Sequence, residues 1–205
     1  MKSRRKKYVG LLGGSFNPAH EGHLHISLAA FRRLGIDEVW WMVSPQNPLK
    51  STNDMWDLSS RLKSAKSLAR HPKIRVLDIE TELGTTYTAD TLVKMQKRFA
   101  DHKFIWLMGA DNLKQFPKWK NWQQIFDTTP IAVFGRSGYD LGALSGKAAR
   151  RFKGARYLEN RSRSLKYQAA PAWTFLAIRR HPESATRIRH ALRKTAIESG
   201  SKNEV

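Results

Sequence analysis

Eleven residues, Gly13-Gly14-Ser15-Phe16-Asn17-Pro18-Ala19-His20-Glu21-Gly22-His23, constrain this chain more than any other stretch. They follow Tyr8-Val9-Gly10-Leu11-Leu12, a short apolar run that reads as a buried parallel strand. They precede Leu24 to Leu34, apolar at helical spacing and closed by Gly35 as a C-cap. A glycine-rich turn therefore joins a strand to a helix. Glycine lets the backbone approach a ligand closely, and the N–H groups and dipole of a helix's first turn attract anionic oxygens. His20 and His23, at i and i+3, share one face. The stretch is suited to a polyphosphate.

Three other signatures do not fit. No Gly-Lys-Ser/Thr closes the loop as a Walker A motif requires, and the G-x-G-x-x-G pattern is absent. An H-E-x-x-H zinc helix would need histidine at 24, where Leu24 stands. A chance glycine turn with two surface histidines is the bland alternative. The complete string at a strand–helix junction argues against it.

Apolar runs and helical patterns alternate along most of the chain, which predicts a parallel sheet covered by helices. After the first unit, strands are expected at Glu38–Val43, Ile74–Ile79, Phe104–Met108, Ile131–Phe134 and Trp173–Ile178. Helices are expected at Leu58–Arg70, with Leu58, Leu62, Ala65 and Leu68-Ala69 inward, and at Ala89–Phe99, capped by Thr88, with Leu92, Met95, Gln96 and Phe99 inward. Ser44 to Trp56 reads as a loop, residues 137–171 as loops with one short helix near Leu144–Phe152, and Ser184–Glu198 as a closing helix before a frayed tail at 199–205. The fold class is α/β, a Rossmann-like doubly wound parallel sheet, in one domain over 1–205 with a basic extension at 1–7. Such sheets bind ligands beyond the carboxyl ends of their strands. The glycine loop, Ser44-Pro45, Thr85, Asp111, Arg136 and Ser184 all fall there.

The eleven-residue string resembles the H-x-G-H nucleotidyltransferase superfamily, and within it the bacterial nicotinate-mononucleotide adenylyltransferases. Further matches run in the same order: Pro45-Gln46-Asn47-Pro48-Leu49-Lys50, Thr85-Thr86-Tyr87-Thr88-Ala89-Asp90-Thr91-Leu92, Gly109-Ala110-Asp111-Asn112, Phe116 with Trp119 and Trp122, Arg136-Ser137-Gly138-Tyr139, and Ser184-Ala185-Thr186-Arg187-Ile188-Arg189. The resemblance implies adenylyl transfer from ATP to nicotinate mononucleotide, giving nicotinate adenine dinucleotide and pyrophosphate. Nicotinamide mononucleotide or phosphopantetheine is the alternative acceptor.

It also implies roles for individual residues. His20, His23 and Arg189 are the catalytic candidates. Gly14, Ser15, Phe16, Ser184 and Thr186 join them around ATP, with Ser184 a plausible N-cap of its helix. Arg187 is expected in solvent, and Glu183 departs from the apolar residue usual in the family. Lys50 and Arg136 are expected on the mononucleotide phosphate, Lys as a point charge and Arg as a fork. Thr85 and Thr88 would meet the nicotinate ribose and ring, Trp119 would stack on the pyridine, and Asp111 would accept from a ribose or ring substituent or cap its own helix. Trp122 could stack or join the core. Mg²⁺ is expected through the ATP phosphates, with no protein metal site.

Lys and Arg number 37 against 17 Asp and Glu, a net charge of +20. Such a field concentrates mononucleotides, ATP and pyrophosphate, and attracts nucleic acid only without sequence preference. Lys2 to Lys7 form one basic cluster and Lys147 to Lys166 another. A solvated basic face is the preferred reading of the second over a dedicated RNA site, because no RNA-binding motif accompanies it. A metalloenzyme built on the histidines ranks lower still. The absence of cysteine, of a signal-like apolar region and of any run near the ~20 apolar residues of a membrane helix predicts a soluble, cytoplasmic protein.

Overall fold

The computed structural model of the chain describes residues 6–46, 55–136, 140–179, 185 and 187–189. Seven strands form one sheet: β1 (Lys7–Gly14), β2 (Glu38–Val43), β3 (Ile74–Leu77), β4 (His102–Gly109), β5 (Ile131–Arg136), β6 (Arg156–Tyr157) and β7 (Trp173–Ile178). Their order is β3-β2-β1-β4-β5-β7-β6, and every pairing is parallel. The chain adds β2 and β3 on one side of β1, then crosses to add β4 and β5 on the other. The direction of winding therefore reverses between β1 and β4, and the crevice above that switch point is where such sheets receive ligands.

Alternation along β1 explains the two-layer core. Val9 and Leu11 pack on one face with Trp40, Phe104 and Trp106. Leu12 packs on the other with Trp41, Ile105 and Leu107. Because both faces are covered, the strands read as continuous apolar runs. The first face is roofed by α4 (Thr88–Arg98), α5 (Ala110–Gln115) and α6 (Trp122–Thr128), the second by α1 (Glu21–Leu34) and α2 (Leu58–Leu68).

The sequence reading needs several corrections. β3 stops at Leu77, and Ile79–Leu83 forms a short helix, α3, closed by Gly84 in the left-handed conformation at φ 57°. Thr88 is the first residue of α4, not its cap; Tyr87 holds the cap position without a side-chain bond. Gln96 is exposed and donates to the Thr128 carbonyl at 2.8 Å and to Thr129 Oγ1 at 3.2 Å. α2 ends at Leu68, two residues short of Arg70, and Asp57 caps its start by accepting from Ser60 N–H at 2.9 Å. Lys7 belongs to β1, not to a basic extension. The single helix expected near 144–152 is two, α7 (Asp140–Leu144) and α8 (Lys147–Arg151), and 3₁₀ turns at Lys153–Ala155 and Glu159–Tyr167 flank the short edge strand β6.

No helix among the described residues is long and apolar enough to cross a membrane.

Candidate active site

β1 delivers the glycine loop to the switch point, and its two glycines serve different ends. A Cβ on Gly13 would fall inside the indole of Trp106, 3.1 Å from Cζ2 and closer still to Cη2, so packing alone demands glycine there. A Cβ on Gly14 would meet only Phe16, at 3.5 Å, an ordinary contact. At Gly14 the protein leaves the room that a closely approaching ligand would take. Phe16 then turns the chain at φ 48° and sinks its ring into the core, 4.5 Å from His23 and 5.3 Å from Trp41, centroid to centroid.

α1 opens at Glu21, and the two histidines form its cap. His20 is the N-cap, and its Nδ1 accepts the Gly22 N–H at 3.1 Å. His23 is the third helical residue, and its Nδ1 accepts the His20 N–H at 3.2 Å. This is the reciprocal geometry of a capping box, built here from two imidazoles. It also fixes the chemistry they present. With Nδ1 accepting, the proton of each neutral ring resides on Nε2, so both offer an N–H donor. The His20 carbonyl lies 3.3 Å from His23 Nδ1 and accepts the His23 backbone N–H at 2.8 Å; the ring nitrogen that accepts the His20 N–H has no proton to give it. The rings sit 3.9 Å apart. Below them Ser27 Oγ donates to the His23 carbonyl at 2.9 Å and accepts from Trp41 Nε1 at 2.8 Å, tying the cap to β2.

Arg189 comes to the same loop, donating from Nη1 to the Asn17 carbonyl at 2.7 Å. The structure thus brings Gly14, Ser15, Phe16, His20, His23 and Arg189 together. Arg187 is exposed, as expected. Ser184, Thr186, Glu183 and Lys50 lie outside the described residues, and Arg136 is described only as the backbone end of β5, beside Ile178 of β7.

Across the crevice, Thr85 Oγ1 lies 2.8 Å from Thr91 Oγ1. The single Thr91 hydroxyl proton goes to the Tyr87 carbonyl at 3.1 Å, so Thr85 is the donor of their pair. Thr85 can then only accept from a ligand, which suits a ribose hydroxyl and not a carboxylate. Thr88 is half-buried at the start of α4, and the Lys120 ammonium stands over the Tyr87 ring at 4.1 Å. Asp111 is exposed in the first turn of α5, whose N-cap is Gly109; the carboxylate folds back where a Gly109 Cβ would be. Asp111 is therefore not the cap.

Trp119 is half-buried, 4.9 Å from Phe116 and edge-on to Trp106 at 6.2 Å. Trp122 is half-buried and packs edge-on against Phe116, Phe126 and Phe152, which ties it to the core. Trp106 Nε1 is buried without a hydrogen-bond partner among the described residues.

Two residues beside the crevice escaped the sequence reading. Arg61 of α2 is 1% exposed, with its guanidinium spent on carbonyls: Nε to Trp56 at 2.9 Å, Nη1 to Ser15 at 2.8 Å and Ser44 at 2.6 Å, and Nη2 to Pro45 at 2.8 Å. Burial holds it below the usual arginine range, opposed by the charges of Asp57 and Asp78. Glu80 of α3 is 6% exposed, and its Oε2 has no hydrogen-bond partner among the described residues. Burial raises its pKa, a hydrogen bond with Ser44 opposes the shift, and the Asp78 charge adds to it.

The basic cluster at 147–166 lies elsewhere. Arg151, Arg156 and Arg161 line a cavity of about 680 Å³ beside β6 and the start of β7, at the opposite ends of the strands from the glycine loop.

The cytidylyltransferase-like family model matches residues 11–191. A probable nicotinate-nucleotide adenylyltransferase of Parvibaculum lavamentivorans is 51% identical over 181 residues, 88% of this chain and 90% of that one. One of Rhizobium meliloti is 47% identical over 183 residues, 89% and 97% of the two chains. Among solved structures, the Plasmodium falciparum nicotinic acid mononucleotide adenylyltransferase complexed with NaAD superposes with a TM-score of 0.66 at 17% identity, over 90% of this chain and 83% of that one, a likeness of fold.

Proposed function

The chain belongs to the cytidylyltransferase-like family, and we propose that it transfers the adenylyl group of ATP to nicotinate mononucleotide, forming nicotinate adenine dinucleotide and releasing pyrophosphate. The observation that carries the reaction class is the imidazole capping box at the switch point, with two Nε2–H donors and the Arg189 guanidinium gathered on one loop. The choice of acceptor follows the names of relatives 46–51% identical along nearly their whole length.

In this reading the α- to γ-phosphates of ATP lie over Gly14, Ser15 and the backbone at Phe16, with His20, His23, Arg189, Ser184 and Thr186 as donors. The acceptor's phosphate meets Lys50 and Arg136, Thr85 accepts from its ribose, Thr88 and Asp111 line its ring end, and Trp119 stacks on the pyridine. An oxygen of the mononucleotide phosphate attacks the α-phosphorus in line, and pyrophosphate departs. A phosphate monoester has a second pKa near ~6, so the nucleophile is already ionised at neutral pH and no general base is required. The protein's work is placement of the two substrates and stabilisation of charge on the α-phosphate and the leaving group.

The crevice residues are anion-seeking: imidazole N–H, backbone N–H and guanidinium. Among the described residues no three His, Cys, Asp or Glu side chains cluster as metal ligands. That donor set fits Mg²⁺ held by the phosphates and water rather than by a protein cage. When bound, the ion would neutralise charge on the triphosphate.

We read 1–205 as one nucleotidyltransferase domain acting in the cytoplasm, with nucleic acid attracted only non-specifically. The test is pyrophosphate release with ATP and each of nicotinate mononucleotide, nicotinamide mononucleotide and phosphopantetheine. Release is expected only with an acceptor present, and with kcat/KM highest for nicotinate mononucleotide. Preference for either other acceptor would overturn the assignment.

A further inference from the structure

Arg61 touches three separate stretches of chain. It holds the Ser15 carbonyl in the phosphate loop, the Ser44 and Pro45 carbonyls where the chain leaves β2, and the Trp56 carbonyl where it returns to α2. Two further bonds run alongside: Ser44 N–H to the Gly14 carbonyl at 2.9 Å, and Trp56 N–H to the side-chain Oδ1 of Asn17 at 3.1 Å. Arg61 is the side chain common to both ends of segment 46–55 and the loop that receives ATP.

We propose that Arg61 is a positioning residue for adenylyl transfer, whose guanidinium fixes the distance between the triphosphate loop and the chain at Ser44–Pro45 and at Trp56. The inference rests on the proposed reaction, and three features support it. A guanidinium is the one side chain with five donors in a rigid plane, so it alone can bind four carbonyls from three directions at once. Its partners are all backbone carbonyls, whose positions define the loops irrespective of their side chains. Burying a charge among neutral acceptors is costly, and apolar packing would serve stability as well or better. What apolar packing cannot supply is a fixed spacing between two half-sites, and in-line transfer is sensitive to shifts of about 1 Å.

Arg61→Lys and Arg61→Gln in the full chain test this. Both keep a donor but lose the fork. The Kd of a non-hydrolysable ATP analogue and that of nicotinate mononucleotide, each measured alone, should change by less than about 3-fold, while kcat falls on the order of 100-fold. Added guanidinium ion should restore part of kcat in Arg61→Gln. An unchanged kcat, or a loss confined to the two Kd values, would overturn the proposal.

Should neither variant fold, hydrogen exchange on the native chain decides. The ATP analogue alone should slow exchange at the Ser44 and Trp56 amides; slowing confined to residues 13–23 would count against the coupling. A native chain that releases no pyrophosphate with both substrates refutes the reaction itself, a result distinct from either.

Discussion

His20 and His23 cap α1 reciprocally: the ring of His23 holds the backbone N–H of His20, and the ring of His20 holds the N–H groups of the turn that contains His23. The groups assigned to the phosphates are thus also those that start the helix. Stability and activity can be separated by substitution. His23→Gln and His20→Asn keep an acceptor in capping position, so Tm should stay within about 2 °C of the native value while kcat falls about 10²–10³-fold, as for loss of one charge-stabilising donor. His23→Ala should lose activity and also about 1 kcal/mol of stability. Thermal melts beside pyrophosphate assays check both; wild-type turnover in His23→Gln would remove the histidine from the mechanism.

Gly13 and Trp106 form a lock within the first core layer. Gly13→Ala should destabilise by about 1–3 kcal/mol, because the indole has no space into which to retreat. Trp106→Phe in the same chain should relieve the clash. A double-mutant cycle from denaturant unfolding should then show a favourable coupling of about 1 kcal/mol, whereas strict additivity would place the strain elsewhere.

Glu80 provides a pH signature. Its carboxyl is buried and its pKa raised, so its share of stability is present below the unfolded pKa, 4.5, and is lost as pH rises through the folded value. Glu80→Gln, neutral throughout, should melt higher than the native chain near about pH 8, with the gap closing toward about pH 4. Melting curves across that range are the measurement. A gap that widens in acid would contradict the raised pKa.

Trp119 and Trp122, three residues apart, should respond differently. Trp119→Ala is expected to raise KM for the mononucleotide about 10-fold, the loss of one stacking contact, with KM for ATP nearly unchanged. Trp122→Ala should instead lower Tm, since its ring packs edge-on against Phe116, Phe126 and Phe152. Steady-state kinetics and melts on both variants separate the roles.

Much of the scaffold could be read from local pattern. Glu38–Val43 has five of its six residues buried, on both faces, and its boundaries agree to the residue. Ile74–Ile79 misled because an apolar residue beyond Asp78 looks like more strand, whereas Asp78 takes the N-cap position of α3 and Ile79 is its first helical residue. The histidine cap was hidden because imidazole is not among the usual capping groups. Arg61 was the least legible. In Leu58-Ser59-Ser60-Arg61-Leu62-Lys63 it looks like one more solvent-facing base, and its burial arises only when carbonyls from residues 15, 44 and 45 arrive from distant stretches. In the basic stretch 147–166 the short helix expected near 144–152 covers α8, whereas the 3₁₀ turns and the two-residue edge strand β6 gave no periodic signal.

Because one guanidinium grips the chain where it departs at Ser44–Pro45 and again where it rejoins at Trp56, the stretch between is anchored like a cassette. The two anchor points keep one spacing from the glycine loop, set by Nη1 on Ser15 and Ser44, Nη2 on Pro45 and Nε on Trp56.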